Sequence, residues 1–292
     1  MPEVIGPRAL FREAREQFHA DLLQTVLTVN AQGVWTNADK DSRASCVISA
    51  RMAELLRAET VAERLAGQTS GRRFEELVAA FVRSTFCPLN HLRPGQWAVE
   101  QISGRGRVET LARFAQFSHL RAIAEAVRGN VQLAAAIGNE YAIKPDVVVY
   151  RGPESDDAIN APGLIVDDEL ATRAPLRASF NQQPILHASI SCKWTMRSDR
   201  SQNARSEALN LIRHRKGTVP HIVAVVAEPM PSRISSVALG TGDLDCVYHF
   251  ALYELQQAVQ EVGSEDAQET LQIMVEGGRL KDISDLPLDL AV

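Results

Sequence analysis

The sequence predicts an α/β fold, a mixed β-sheet flanked by helices, and three observations carry that prediction. Three apolar runs, 143–150, 185–192 and 221–227, read as buried strands rich in Val and Ile. A segment of helical period over 202–215 separates the second and third runs, the spacing of a parallel strand-helix-strand step. Hydrophobic residues make up 45% of the 292 residues, ample for a buried core in one large α/β domain or two ordinary ones.

Along the chain, Leu10, Phe11, Ala14, Phe18, Leu22 and Val26 recur at helical spacing and predict an amphipathic helix over 8–27. Residues 29–46 are polar and turn-rich, with Asn30, Gly33, Asn37, Asp39 and Asp41. A helix is expected over about 45–58, and after a break at Gly67-Gln68-Thr69-Ser70-Gly71 another over 72–86. On that helix Phe74, Leu77, Val78, Phe81 and Val82 share one face; Glu75 lies at its edge and Glu76 points to solvent. Glu75 is therefore the better candidate for interior work. Residues 109–137 are Ala-rich and helical in pattern, ending near Gly138-Asn139.

The first strand, Ile143-Lys144-Pro145-Asp146-Val147-Val148-Val149-Tyr150, is entered through a proline. Gly152-Pro153, Pro162-Gly163, Pro175 and Pro184 make 151–184 an excursion of loops rather than a linker. The second strand ends in Ser191-Cys192, the helix after it stops at Gly217, and 233–239 reads as a fourth strand beyond the third. Gly240-Thr241-Gly242-Asp243 lacks the lysine of a phosphate loop and reads as a turn.

Composition excludes several classes. No apolar run approaches the roughly 18 residues that span a bilayer, and Met1-Pro2-Glu3-Val4 does not open a signal peptide, so a cytoplasmic protein is expected. Cys46, Cys87, Cys192 and Cys246 form no C-x-x-C pair, against both a zinc site and a disulfide framework. A net charge of −5 argues against a protein that coats nucleic acid nonspecifically. Locally, however, Arg197, Arg200, Arg205, Arg213, Arg215 and Lys216 face only Asp199 and Glu207.

Asp146 begins one buried strand and Lys193 ends another, so neighbouring strands would bring both to one sheet edge. Hydrolysing a phosphodiester needs a metal to neutralise phosphate, a cation near the attacking water, and carboxylates that leave coordination positions open. Asp146, the Cys192 backbone carbonyl, Lys193 and one further acid would supply those parts. Taken singly, Pro-Asp before a strand is a turn with a capping aspartate, and a strand-end lysine is a snorkelling surface cation. Glu207 lies three residues after Ala204 and one turn before Leu211, bordering the packed face of its helix; the alternative is a solvated glutamate. Arg197, Asp199 and Arg200 hold the donors and acceptor for a G·C edge, or else form a surface loop of self-paired charges.

Pro145-Asp146, Ser191-Cys192-Lys193 and Glu207, in that order and spacing, resemble the type II restriction endonucleases of the CCGG group. That group is a variant of the PD-(D/E)xK nuclease superfamily in which the second acid has migrated to the following helix. The superfamily usually places an acid two residues before the lysine; here Ser191 stands there, and Glu207 replaces the charge. The resemblance runs through most of the chain, densest over 187–211, 229–255 and 279–292, and weakest in the first two dozen residues and over 151–184.

The resemblance implies a restriction-endonuclease-like mixed sheet flanked by helices, forming a single domain over 1–292. It implies that Asp146 and Glu207 bind magnesium with the Cys192 carbonyl, that Lys193 orients or activates water, and that Glu75 completes the acidic cluster. Arg197, Asp199 and Arg200 would read the inner CCGG in the major groove, Gln68 would touch the minor groove, and Asp39 with Arg233 would read the outer base pair. By the same resemblance the target is double-stranded GCCGGC, cut after the first G to leave a four-base 5′ overhang, by homodimers paired into a homotetramer. Two other readings compete: a DNA-binding protein that recognises a G·C-rich site without cutting, and a structure-specific repair nuclease on the same scaffold. Acids beside phosphate count against the first, because they repel it until a cation intervenes. Base-reading Arg and Asp count against the second.

Overall fold

The computed structural model describes residues 8–30, 32–57, 67–102, 108–137, 143–196, 198–240 and 242–292, without the side chains of 67–69, 137 and 198–202. Helices α1 (Leu10–Thr25), α2 (Arg43–Leu55) and α3 (Gly67–Phe86) precede strand β1 (Trp97–Gln101). Short helices α4 (Val108–Ala112), α5 (Leu120–Val127) and α6 (Val131–Ile137) lead to β2 (Val147–Arg151). A loop excursion containing α7 (Asp156–Ile159) returns to β3 (Ile185–Lys193), then α8 (Ser198–His214), β4 (His221–Val226), α9 (Pro231–Ala238) and β5 (Cys246–His249). Helices α10 (Leu252–Val262) and α11 (Glu265–Glu276), strand β6 (Leu280–Asp282) and helix α12 (Leu286–Asp289) close the chain.

Among the described residues six strands form one mixed sheet in the order β1-β2-β3-β4-β5-β6. It is antiparallel from β1 to β3 and parallel from β3 to β6, so the expected α/β class and the parallel β3-α8-β4 step both hold. Val147 to Val149 and Val223 to Val226 are buried, as expected where both faces of a sheet are covered. On α3, Phe74, Val78, Phe81 and Val82 are buried together, and the Phe74 ring meets Trp194 edge-on at 5.2 Å. Each such side chain contributes about 1.5–3 kcal/mol by leaving water. Because β2 and β3 run antiparallel, with Val147 opposite Ile190, the start of β2 lies beside the end of β3. That topology brings Asp146 to Lys193.

The elements depart from expectation in specific places. Gly67 to Gly71 form the first turns of α3, not a break, and Ser70 is buried there. Burial of the apolar face that follows outweighs the roughly 1 kcal/mol penalty of a helical glycine. Residues 233–239 lie in or just after α9 rather than in a strand: Pro231 sits in the first turn, where its missing N–H is not needed, and Ile234, Val237 and Ala238 are buried. The helical tract 109–137 is divided among α4, α5, α6 and a 3-10 turn, with Gly129 at φ +85° between α5 and α6. Strand β1 has no counterpart in the expectation because only Val99 of its residues is buried, leaving no apolar run to read. No helix among the described residues is long and apolar enough to cross a membrane.

Candidate active site

Asp146 Oδ2 accepts the Cys192 backbone N–H at 2.8 Å and lies 3.4 Å from the Lys193 ammonium. The Asp146 main-chain carbonyl accepts from Ile102 N–H at 2.9 Å, which ties the Pro145-Asp146 entry to the chain just after β1. The Lys193 and Asp146 side chains keep 16% and 15% of their surface exposed, so they are largely withdrawn from water yet reachable. Desolvation offsets most of the attraction in such a pair, so stability does not explain its presence at a sheet edge. Partly buried charges gathered there are a signature of chemistry.

Glu75, on α3, accepts from Gln101 Nε2 at 3.0 Å. Burial and the Asp146 charge raise its carboxyl above the ordinary range, against the Gln101 bond, Lys144 and Lys193. Glu76 points away and pairs with Arg72 and Arg73, as the helical period requires. On α8, Glu207 is half-buried beside Ala204 and Ala208. Burial raises the Glu207 carboxyl as well; Lys193 and Lys144 oppose the rise and Asp146 adds to it. Burial works against the Lys193 charge, but Asp146 and Glu207 hold its pKa above the usual lysine value. Sequence-predicted Asp146, Lys193, Glu207 and Glu75 therefore share one electrostatic centre, drawn from β3, the entry to β2, α3 and α8.

Burial, with Asp146 and Glu75 nearby, pushes the Cys192 thiol far above its ordinary value. The thiol stays protonated, so only the backbone carbonyl of that residue could serve as a cation ligand. Ser191 shares the sheet face of Lys193, and its buried hydroxyl has no hydrogen bond among the described residues. Among those residues no group of three or more His, Cys, Asp or Glu side chains is placed to hold a metal ion by itself. The edge instead offers hard oxygens from Asp146, Glu207 and Cys192. Such a set fits magnesium, which takes one or two carboxylates and fills its shell with water and phosphate.

Asp39 and Arg233, 194 positions apart in the chain, form an ion pair. Arg233 Nη1 also donates to the Met196 carbonyl at 3.3 Å, so the two outer-pair candidates sit against the residue that precedes Arg197. Arg197 lies outside the described residues, as do the side chains of Asp199, Arg200 and Gln68; the backbones of Asp199 and Arg200 are in the first turn of α8, and that of Gln68 begins α3. The basic strip is less open than its composition implies. Arg205 pairs with Asp243 at 2.7 Å and donates to the Leu239 carbonyl at 2.6 Å, while Arg215 donates to the Ile212 carbonyl.

Gln101, Lys144, Asn37 and Glu228 join these sites without having been singled out from sequence. Gln101 lies on the unread β1, and Lys144 stands two residues before Asp146 as an ordinary strand-edge cation. Asn37 Nδ2 donates to the Ala227 carbonyl at 2.9 Å, and Glu228 is fully buried. Both act through contacts distant in sequence, which local pattern does not reveal.

Residues 18–292 match the family described as NgoMIV restriction enzyme. The chain is 56% identical over 284 residues to the type II restriction enzyme NgoMIV of Neisseria gonorrhoeae, covering 97% of this chain and 99% of that relative. The match spans α3, β2, β3 and α8, the elements that build the centre around Lys193. The chain therefore belongs to the NgoMIV restriction enzyme family: it is a type II restriction enzyme, as its sequence predicts.

Proposed function

We propose that this enzyme is a magnesium-dependent endonuclease acting in the cytoplasm on double-stranded GCCGGC, cutting after the first G to leave four-base 5′ overhangs. The observation that carries the reading is the convergence of Lys193 with Asp146, Glu207 and Glu75 a few residues before the Arg197-Ser198-Asp199-Arg200 segment.

Asp146 and Glu207, with the Cys192 carbonyl, would hold the cation, which supplies charge neutralisation at the scissile phosphate and activation of water. Lys193 remains an ammonium, oriented by Asp146, and stabilises negative charge developing on the attacked phosphate. Glu75 completes the acidic cluster, held beside Asp146 by the Gln101 amide.

Arg197 and Arg200 would each donate two bonds to a guanine while Asp199 accepts from cytosine N4, reading the inner CCGG. Arg233 and Asp39 offer the same donor and acceptor chemistry for the outer G·C pair, and Gln68 would reach the minor groove. A palindrome calls for a two-fold dimer presenting these groups once to each half-site. The excursion before β3 exposes Leu164, Ile165 and Leu170, apolar surface that suits pairing of dimers into a homotetramer. Residues 1–292 are read as one restriction endonuclease domain.

Incubating the protein with a plasmid and magnesium tests the proposal. Discrete fragments ending at GCCGGC are expected. A smear would point to a structure-specific nuclease, and retarded but uncut plasmid to a binding protein.

A further inference from the structure

We propose that Glu228 is a positioning residue of the DNA-reading surface: its buried carboxylate sets Arg233 and the chain entering Arg197-Ser198-Asp199-Arg200 in one register. The inference rests on the base-reading assignment above. Glu228 follows β4, and its side chain has no exposed surface. One oxygen, Oε2, accepts the Met196 N–H at 2.9 Å. The other, Oε1, accepts the Met230 N–H at 3.2 Å and lies 3.7 Å from Arg233 Nη1. Arg233 in turn donates to the Met196 carbonyl at 3.3 Å and pairs with Asp39. The Asp39 loop is pinned to the same strand end by Asn37, whose amide donates to the Ala227 carbonyl at 2.9 Å. Asn37 is itself held by Ser49, which donates to its side-chain oxygen at 2.7 Å.

Three segments thus meet at one junction: the Met196 segment and the Met230-to-Arg233 turn bind the Glu228 carboxylate directly, and the Asp39 loop joins them through Arg233 and the Ala227 carbonyl. Two of them carry residues assigned to the outer base pair, and the third runs directly into the inner-pair reader. Burying a carboxylate is costly, and packing alone would be served by an apolar residue. What a carboxylate adds is two directed acceptors and a charge facing Arg233.

The junction also has a titration that reports on the role. Burial raises the Glu228 carboxyl to about 7, although the Met196 N–H, Arg233 and the Met230 N–H all favour its charged form. Arg233 from α9 stays charged, its pKa raised by Asp39 and Glu228 against burial. His249 from β5 is held down to about 4 by burial and stays neutral. Asp39, in its ion pair with Arg233, completes the charged groups facing Glu228. Near neutral pH, then, Glu228 is the junction group that gains or loses a proton. Its protonation withdraws one acceptor and the charge that holds Arg233.

The test compares wild type and Glu228→Gln by competition binding, with calcium replacing magnesium so that binding is read without cutting. The duplexes are GCCGGC, ACCGGT with its outer pair exchanged, and a scrambled sequence. Preference for GCCGGC over ACCGGT should fall about tenfold in Glu228→Gln, with affinity for the scrambled duplex unchanged. Wild-type preference should also decline between about pH 8 and about pH 6, while that of the variant stays flat. A variant with wild-type preference at both pH values overturns the proposal. If the variant does not fold, a flat wild-type profile overturns it equally. A wild type without any preference between the two duplexes removes the base-reading assignment, and the inference with it.

Discussion

At Lys193 two effects compete, and their balance decides its charge. Burial favours the neutral amine, while Asp146 and Glu207 favour the ammonium, and the acids prevail. The same burial lifts Glu75 and Glu207 above the ordinary carboxylate range, so both take up protons sooner as pH falls. Because cation-holding carboxylates must be charged, the acid limb of kcat/KM should lie above the usual carboxylate pKa of about 4.3. Gln101 lowers the Glu75 pKa, so Gln101→Leu should move that limb to higher pH; a profile superimposed on wild type would detach Gln101 from the centre. Glu207→Gln should be severely impaired in plasmid cleavage, whereas full activity would make Glu207 a solvated helix residue. Asp146, Lys193, Glu75 and Glu207 were legible in the sequence as candidates because each sits at a strand end or at the edge of a helical apolar stripe. Gln101 and Glu228 were not, because their roles arise from partners 26 and 32 positions away.

On the proposed assignments helix α8 would join reading to cutting within one element. Arg200 lies in its first turn and Glu207 about 10 Å further along the axis, so a displacement of the proposed reader would move the proposed cation ligand with it. Arg200→Ala should remove about 1–3 kcal/mol of discrimination per half-site, while Arg213→Ala, in the last turn, should weaken cognate and scrambled duplexes alike. Equal loss on both duplexes for Arg200→Ala would make the segment a backbone clamp. Helix α3 supports the other side of the site, where buried Phe74 carries the Trp194 ring that follows Lys193. Phe74→Ala should cost about 3–5 kcal/mol in urea denaturation, and a loss under about 1 kcal/mol would show that the contact is dispensable. Long apolar faces such as that of α3 were readable from periodicity. Helix α9 was misread because its short tract of apolar residues fits either period, and only Pro231 in its first turn favours the helix.

Over the whole molecule, the acidic net charge argues against a general basic surface as the basis of DNA binding and favours the proposed local reader and cation. Buried titratable groups also set an acid limit on stability. Burial holds His187 and His249 down to about 4, below the unfolded value of about 6.5, so the unfolded chain binds protons first as pH falls. Their stabilising contribution is present above about pH 6.5 and is lost toward about pH 4. Glu228 runs the other way: raised to about 7, it gives the folded state more protons between about pH 4.5 and 7 and partly offsets the loss. Glu228→Gln should therefore steepen the drop in urea stability between about pH 7 and about pH 5, and an unchanged slope would contradict that sign. The fold class and the parallel step were legible from three apolar runs. Convergence of the Asp39 loop, the Met196 segment and Arg233 was not, because it depends on how the completed sheet brings their ends together.

The role of Lys193 in cutting rather than in binding is tested by following Lys193→Ala through two assays on one preparation, calcium-supported competition binding and magnesium-dependent plasmid cleavage. Wild-type preference for GCCGGC over a scrambled duplex is expected together with uncut plasmid. Discrete fragments produced at a near wild-type rate by Lys193→Ala would contradict the assignment of Lys193 to the chemical step.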